Sequence, residues 1–374
     1  MPRTDFIAVN EPLLDGNEKK YLAQCIDTGW ISSEGPFVQQ FEQTLAARVN
    51  RKWGIAVCNG TAALDAAIEA LGIGPGDEVI MPAFTIISCI GQLIRCGAQP
   101  VLVDSDARTW NMDVSQIETK ITRRTKAIMV AHMYGLPVDL DPVLDIARRH
   151  GLRVLEDAAE MHGQTYKGRP CGSFGDLSTF SFYPNKLVTT GEGGMIVTND
   201  EKLATDCYSL RNLCFQPERR FVHERLGWNL RMTNLQAAVG VAQLERLDEF
   251  AARKRAMGQY YTERLSGIAA LQLPLPKTDY ADNIYWVYGL VLDEQLDLDA
   301  ATAMRKLASL GIGCRPFFYP MHQQPVLRNR GLFAGESYPV AERLYRKGFY
   351  IPSGLALTEA QMARVADAVR EICR

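Results

Sequence analysis

The chain has no long hydrophobic run. Its most apolar stretch, residues 79–94, is interrupted by Pro82, Thr85, Ser88 and Gln92 and falls short of the about 20 residues that a membrane-spanning helix needs. Its opening residues lack the basic-then-apolar pattern of an export signal, so the expected location is the cytoplasm and no membrane partner is expected. No CxxC pair occurs, and the 9 cysteines are scattered, which points to reduced, buried thiols and away from a disulfide framework. Charge of one sign is not in excess: 41 Lys and Arg stand against 43 Asp and Glu, and a nucleic-acid partner would call for a basic surplus. The phosphate-binding patterns GxxxxGK[ST] and GxGxxG are both missing, which removes the two commonest nucleotide cradles. Internal repeats and low-complexity tracts are missing too.

What remains is ordinary globular composition, 47% hydrophobic and 22% charged over 374 residues, enough chain for a large core and for two or three domains. Short apolar runs at 78–81, 100–103, 126–131 and 153–156 alternate with helical patterns at 62–71 and 141–150. Apolar continuity without polar alternation suits parallel strands covered on both faces. The rhythm predicts an α/β fold with a mostly parallel central sheet and helices on both faces. Two further runs, 177–182 and 194–199, flank a glycine-rich turn. From residue 235 to about 265 the pattern is long, polar and helical, and reads as a connecting helix or helix pair. After Pro274 and Pro276 come a strand-like run at 285–292 and helical patterns at 299–310 and 358–372, the outline of a smaller α+β domain. The expected division is 1–250 for the large domain and 251–374 for the small one.

Three segments carry chemistry. In Cys58-Asn59-Gly60-Thr61-Ala62 a strand-like stretch meets a glycine and then an Ala-rich helix. Gly60 permits the turn, and the first helical amides with the Thr61 hydroxyl present donors to an anion. In Glu156-Asp157-Ala158-Ala159-Glu160-Met161-His162, Asp157 follows a predicted parallel strand, at the end where α/β proteins place ligands. It reads as a helix cap, a metal ligand or the partner of a cationic ligand atom, and nothing in the sequence demands a metal. His162 alone reads as a packed histidine. The third segment runs from Ser181 through Lys186 to Gly194. Its lysine sits between apolar and aromatic flanks, and burial lowers a lysine's affinity for its proton, the condition for Schiff-base chemistry. Ser181 could reach a phosphate. An anion cradle, a carboxylate and a Schiff-base lysine together are what pyridoxal 5'-phosphate needs for its phosphate, its ring nitrogen and its aldehyde.

Those segments, with Trp30-Ile31-Ser32-Ser33, GPGDEVIMPAFT, Gly227-Trp228-Asn229-Leu230, RPFFYPMH and Ile351-Pro352-Ser353-Gly354, make the chain resemble, nearly end to end, the DegT/DnrJ/EryC1/StrS sugar aminotransferases. That resemblance implies the fold type I architecture of pyridoxal-phosphate enzymes and transamination from L-glutamate to a nucleotide-linked keto sugar. It implies that Lys186 is the Schiff-base lysine and proton shuttle. Asp157 would pair with the ring nitrogen, while Gly60, Thr61, Ala62 and Ser181 would form the phosphate site. Phe84 would lie against the ring. Glu160, where many relatives carry Gln, would stand near the ring's phenolic oxygen. Asn229 would reach the phosphate site of a neighbouring subunit, which makes a homodimer with shared sites, or a tetramer, the expected assembly. His322 falls in a segment that approaches the substrate in relatives and is a candidate catalytic residue; a histidine packed at the domain interface is the alternative. The FSFYPNK, TTGEGG and RPFFYPMH stretches look most like members that aminate C4 of GDP-linked 4-keto-6-deoxymannose. Other readings are the same chemistry on a UDP- or dTDP-linked keto sugar, a 3-keto sugar or a keto-sugar acid, another pyridoxal-phosphate enzyme such as a lyase, or a regulatory binding protein.

Overall fold

In the computed structural model, which describes residues 6–373, the core is a seven-stranded sheet. Its strands lie in the order Trp53–Val57, Gly194–Thr198, Leu177–Ser181, Arg153–Asp157, Thr125–Ala131, Glu78–Pro82 and Gln99–Val103. Six run parallel; only Gly194–Thr198 is reversed, pairing antiparallel with both of its neighbours. The central strands are buried on both faces: every residue of Glu78–Pro82 is inaccessible, as is all of Thr125–Ala131 except Lys126. That is why they read as unbroken apolar runs. Two apolar clusters cover the sheet. One holds Ile55, Leu64, Ile68, Met81, Leu93 and Met129; the other holds Phe41, Ile80, Ile128, Val130, Phe182 and Phe250.

The long helical stretch is a pair, Asn234–Leu244 and Leu247–Leu265. The first opens with a reciprocal cap between Thr233 and Gln236, which satisfies two amides the helix itself leaves free. The second spans two cores: Phe250 and Ala251 pack under the large sheet, whereas Met257, Tyr261 and Leu265 belong to a third cluster with Tyr288, Leu290, Phe349, Ile351, Val365 and Val369. This third core packs on a four-stranded antiparallel sheet ordered Leu271–Gln272, Tyr288–Leu292, Gly348–Ile351 and Arg315–Pro316. The expected boundary at 250 therefore falls inside a continuous helix. The chain also crosses between cores elsewhere. Ile7 joins the third cluster, and Phe317, Met321, Leu327 and Leu344 return to the first. No described helix is long and apolar enough to cross a membrane.

The helix that bridges the cores carries a buried amine. Lys254 is 2% exposed and donates to the Ser353 carbonyl. Burial pulls its pKa from 10.5 down to about 7. Between those values the unfolded chain binds a proton that the folded chain does not, so stability rises with pH across that window, by about 1.4 kcal/mol for each pH unit. Lys254→Met removes this dependence. Equilibrium unfolding of the two proteins from pH 7 to 10 is expected to show the variant's advantage shrinking as pH rises; a difference that stays constant would mean that Lys254 is not held neutral.

Candidate active site

The carboxyl ends of the parallel strands converge on a cavity of about 620 Å³. Asn59, Gly60 and Thr61 reach it after Trp53–Val57, and Thr85, Ile86 and Ser88 after Glu78–Pro82. His132 follows Thr125–Ala131, Asp157 and Glu160 come from the end of Arg153–Asp157, and Ser181 and Lys186 from Leu177–Ser181. Trp286, Phe318 and Tyr350 close it from the later part of the chain.

At its centre is Lys186, whose side chain is 11% exposed with Nζ 3.8 Å from Glu160 Oε1. Burial lowers the lysine's pKa, while Glu160 and then Asp157 resist that shift. Glu160 is pushed the other way, to about 8, by burial against the pull of Lys186. Both groups are thus driven toward their neutral forms, which leaves a nucleophilic amine beside a proton store. The Glu160 carboxylate is held in place by the Tyr134 amide, 2.6 Å from Oε2.

Asp157 is raised by burial, with the Ala159 amide and the Cys89 thiol opposing the shift. Cys89 Sγ donates to Asp157 Oδ2 at 3.3 Å, and burial and the Asp157 charge keep that thiol protonated. One strand residue earlier, Glu156 is fully saturated. It accepts from Gly172 N at 2.6 Å, Phe174 N at 3.0 Å and Ser178 Oγ at 2.8 Å. His132 completes its shell: Nδ1 accepts from the Val138 amide at 3.0 Å, which leaves Nε2 to donate to Glu156 Oε1 at 3.1 Å. His132, Glu156 and Cys171 lie within 4.8 Å of one another, but the histidine and carboxylate atoms are already spent on these protein partners. Their work is to fix the strand end that presents Asp157.

The opposite wall is the N-terminus of helix Gly60–Ala70. Asn59 Oδ1 caps it by accepting from Ala62 N at 2.8 Å. The expected phosphate donor Ala62 is therefore engaged, and the cradle consists of the Gly60 and Thr61 ends with three hydroxyls. Thr61 Oγ1 and Ser88 Oγ are 2.8 Å apart, and Ser181 faces Gly60. A Cβ at Gly60 would stand 2.7 Å from Ser181 Cβ and 3.0 Å from its Oγ, so only glycine leaves this hollow open. A buried amine, a buried carboxylate and an anion-sized hollow at a helix N-terminus fit pyridoxal 5'-phosphate.

Two expectations need correction. Phe84 does not line the cavity: it is fully buried, its ring 6.0 Å from Tyr134 and 5.9 Å from Phe317. His322 also lies outside the cavity, 1% exposed, with Nε2 2.9 Å from Glu342 Oε1 and its ring against Tyr338. It is a packed histidine, the alternative reading. His162 is packed as expected, stacked 5.2 Å from Phe182, and burial holds its pKa at about 3. Asn229 is exposed, pairs through its backbone with Asn212, and is not among the residues lining its own chain's cavity. Sequence reasoning missed Cys89, Ser88 and Trp286. The first two sit in the segment after a predicted strand, where ligand contacts gather; nothing local marks Trp286.

Residues 12–370 match the DegT/DnrJ/EryC1/StrS aminotransferase family, and the chain belongs to it. It is therefore a pyridoxal-phosphate-dependent sugar aminotransferase. It is 46% identical to the GDP-perosamine synthase of Caulobacter vibrioides over 367 residues, 98% of each chain. It is 39% identical to the GDP-perosamine synthase of Escherichia coli O157:H7 over 369 residues, again 98% of each. Among solved structures, the aminotransferase from Psychrobacter cryohalolentis superimposes with a TM-score of 0.90 at 30% identity, covering 97% of this chain and 98% of that one.

Gly60→Ala is expected to weaken cofactor binding by roughly tenfold or more, the scale of overpacking a tight site. Titration of the cofactor by its visible absorption, with circular dichroism to confirm folding, reads this directly; wild-type affinity would mean that the hollow is not where the phosphate sits.

Proposed function

We propose that this enzyme moves the amino group of L-glutamate onto C4 of GDP-linked 4-keto-6-deoxymannose. The likeness to GDP-perosamine synthases along 98% of both chains carries the choice of sugar. The buried amine of Lys186 between Glu160 and Asp157 carries the chemistry.

Bound pyridoxal phosphate supplies an electron sink for the bond being broken at the substrate carbon. Lys186 would hold that group by its aldehyde and, when free, would hold and move the proton at its Nζ as general base and acid. Burial keeps its amine neutral enough to take the proton. Asp157 would hold the ring nitrogen: its carboxylate is costly to bury alone and would regain its charge against a cation. Cys89 steadies the carboxylate from behind. Gly60, Thr61 and Ser181 would receive the phosphate, and Glu160 would stand toward the ring's phenolic oxygen and store a proton.

The cavity mouth supports an assembly of at least two copies. Ile86 and Tyr183 line the cavity yet are 42% and 49% exposed, and Ile87, Trp30 and Ile31 are exposed apolar residues too. A second copy seated there would cover them and bring its Asn229 to the phosphate site.

With 15N-glutamate as donor, the labelled amino group is expected in the GDP-linked product, at a kcat/KM well above that for UDP- or dTDP-linked 4-keto sugars. A preference for one of those would keep the aminotransferase and replace the sugar. Lys186→Ala is expected to lose turnover altogether. Asp157→Asn is expected to lower kcat by roughly two orders of magnitude, the scale of one lost electrostatic contact, with the fold intact. Turnover of Lys186→Ala at the wild-type rate would contradict the role given to that lysine.

A further inference from the structure

Carboxylates are only half of the surroundings of Lys186. Its Nζ also lies 3.9 Å from the centroid of the Trp286 ring, a residue far along the chain. The same indole donates its Nε1–H to the carbonyl of Asn185 at 2.7 Å, the peptide unit that leads into Lys186. Asn10 Nδ2 adds a second donor to that carbonyl at 3.2 Å. The ring itself is fixed: it is 4% exposed and stacks 6.1 Å from Tyr134 at an interplanar angle of 22°, with Tyr350 at 6.4 Å. One side chain therefore grips the backbone before the lysine and faces the amine at its tip.

We propose that Trp286 is the positioning residue for Lys186, its indole face serving as the resting place of the free ammonium and its N–H fixing the base of the side chain. A cation over an aromatic face is attracted by the ring's quadrupole, most strongly by tryptophan and most of all where water is excluded. An amine that must be released and recaptured in each cycle needs such a place, since freed into a buried cavity it would otherwise lean on the carboxylates alone. The inference rests on Lys186 being the reactive amine, but its central test does not depend on turnover.

The groups facing Lys186 are Glu160, Asp157 and Cys89, with His162, Tyr134 and Tyr350 around them. All of them persist when Trp286 is replaced, so a change in the amine's titration reports the indole. The full-length chain freed of cofactor is labelled with a neutral acylating reagent from pH 6 to 10, and modification of Lys186 is read by peptide mass spectrometry. Trp286→Leu removes the cation's partner and is expected to move the labelling midpoint down by about half to one pH unit, which below the midpoint means about three to ten times more labelling. Trp286→Phe keeps an aromatic face and loses the Nε1–H; its midpoint is expected between the other two, with kcat lowered and the KM for glutamate unchanged because only the Asn185 anchor is gone. A wild-type midpoint in Trp286→Leu would overturn the proposal. Should that variant not fold, wild-type kcat in Trp286→Phe would overturn it instead. Absence of transamination in the wild-type chain would strike the proposed function and leave the labelling result standing.

Discussion

Everything at this site follows from burying the amine of one lysine beside two carboxylates. Lys186 is screened from water, and Glu160 and Asp157 are buried with it. Burying an isolated charge is costly, and proteins meet that cost by neutralising or pairing it. Here the groups move in opposite directions, the lysine's pKa falling and those of Glu160 and Asp157 rising. The site is poised to exchange a proton internally, and it gains from a ligand whose ring nitrogen is cationic and whose phosphate is anionic.

The fold exists to hold that arrangement still. Five strands deliver their carboxyl ends to one cavity, as open parallel sheets do. Around them lies a network of hydrogen bonds. The four donors on Glu156 pin the strand that presents Asp157, and the Tyr134 amide fixes Glu160. Arg51 ties the same region to the sheet's far edge through the carbonyls of Gly172 at 2.9 Å and Gly175 at 3.1 Å. Satisfied buried networks of this kind specify one geometry.

Much of this is legible in the sequence alone. The central strands, helix Gly60–Ala70, the helical pair after Thr233 and, of the smaller sheet, the strand Tyr288–Leu292 all sit within a few residues of their expected places, because buried parallel strands and amphipathic helices leave strong periodic signals. Lys186, Asp157, Gly60, Thr61 and Ser181 do line one cavity, and each lies at or shortly after a strand end, where a sequence reading looks for ligand contacts. Phe84, which the resemblance put against the ring, follows the end of strand Glu78–Pro82 and is packed on Tyr134, Phe317 and Phe318, contacts made only in the tertiary fold. His322 was misread because its partner, Glu342, lies twenty residues on and is met only through tertiary packing. Trp286 was invisible for the same reason over a greater distance. The boundary at 250 lies within one helix because that helix serves two cores.

The central claim is that a single buried amine lets this chain take an amino group from glutamate and hand it to a GDP-linked 4-keto sugar. The most direct test separates the two halves on the wild-type holoenzyme. Glutamate alone is expected to bleach the cofactor's visible band, one equivalent per chain. After the free amino acid is removed, GDP-4-keto-6-deoxymannose is expected to restore the band at a rate matching turnover. A band that glutamate never bleaches would contradict the account.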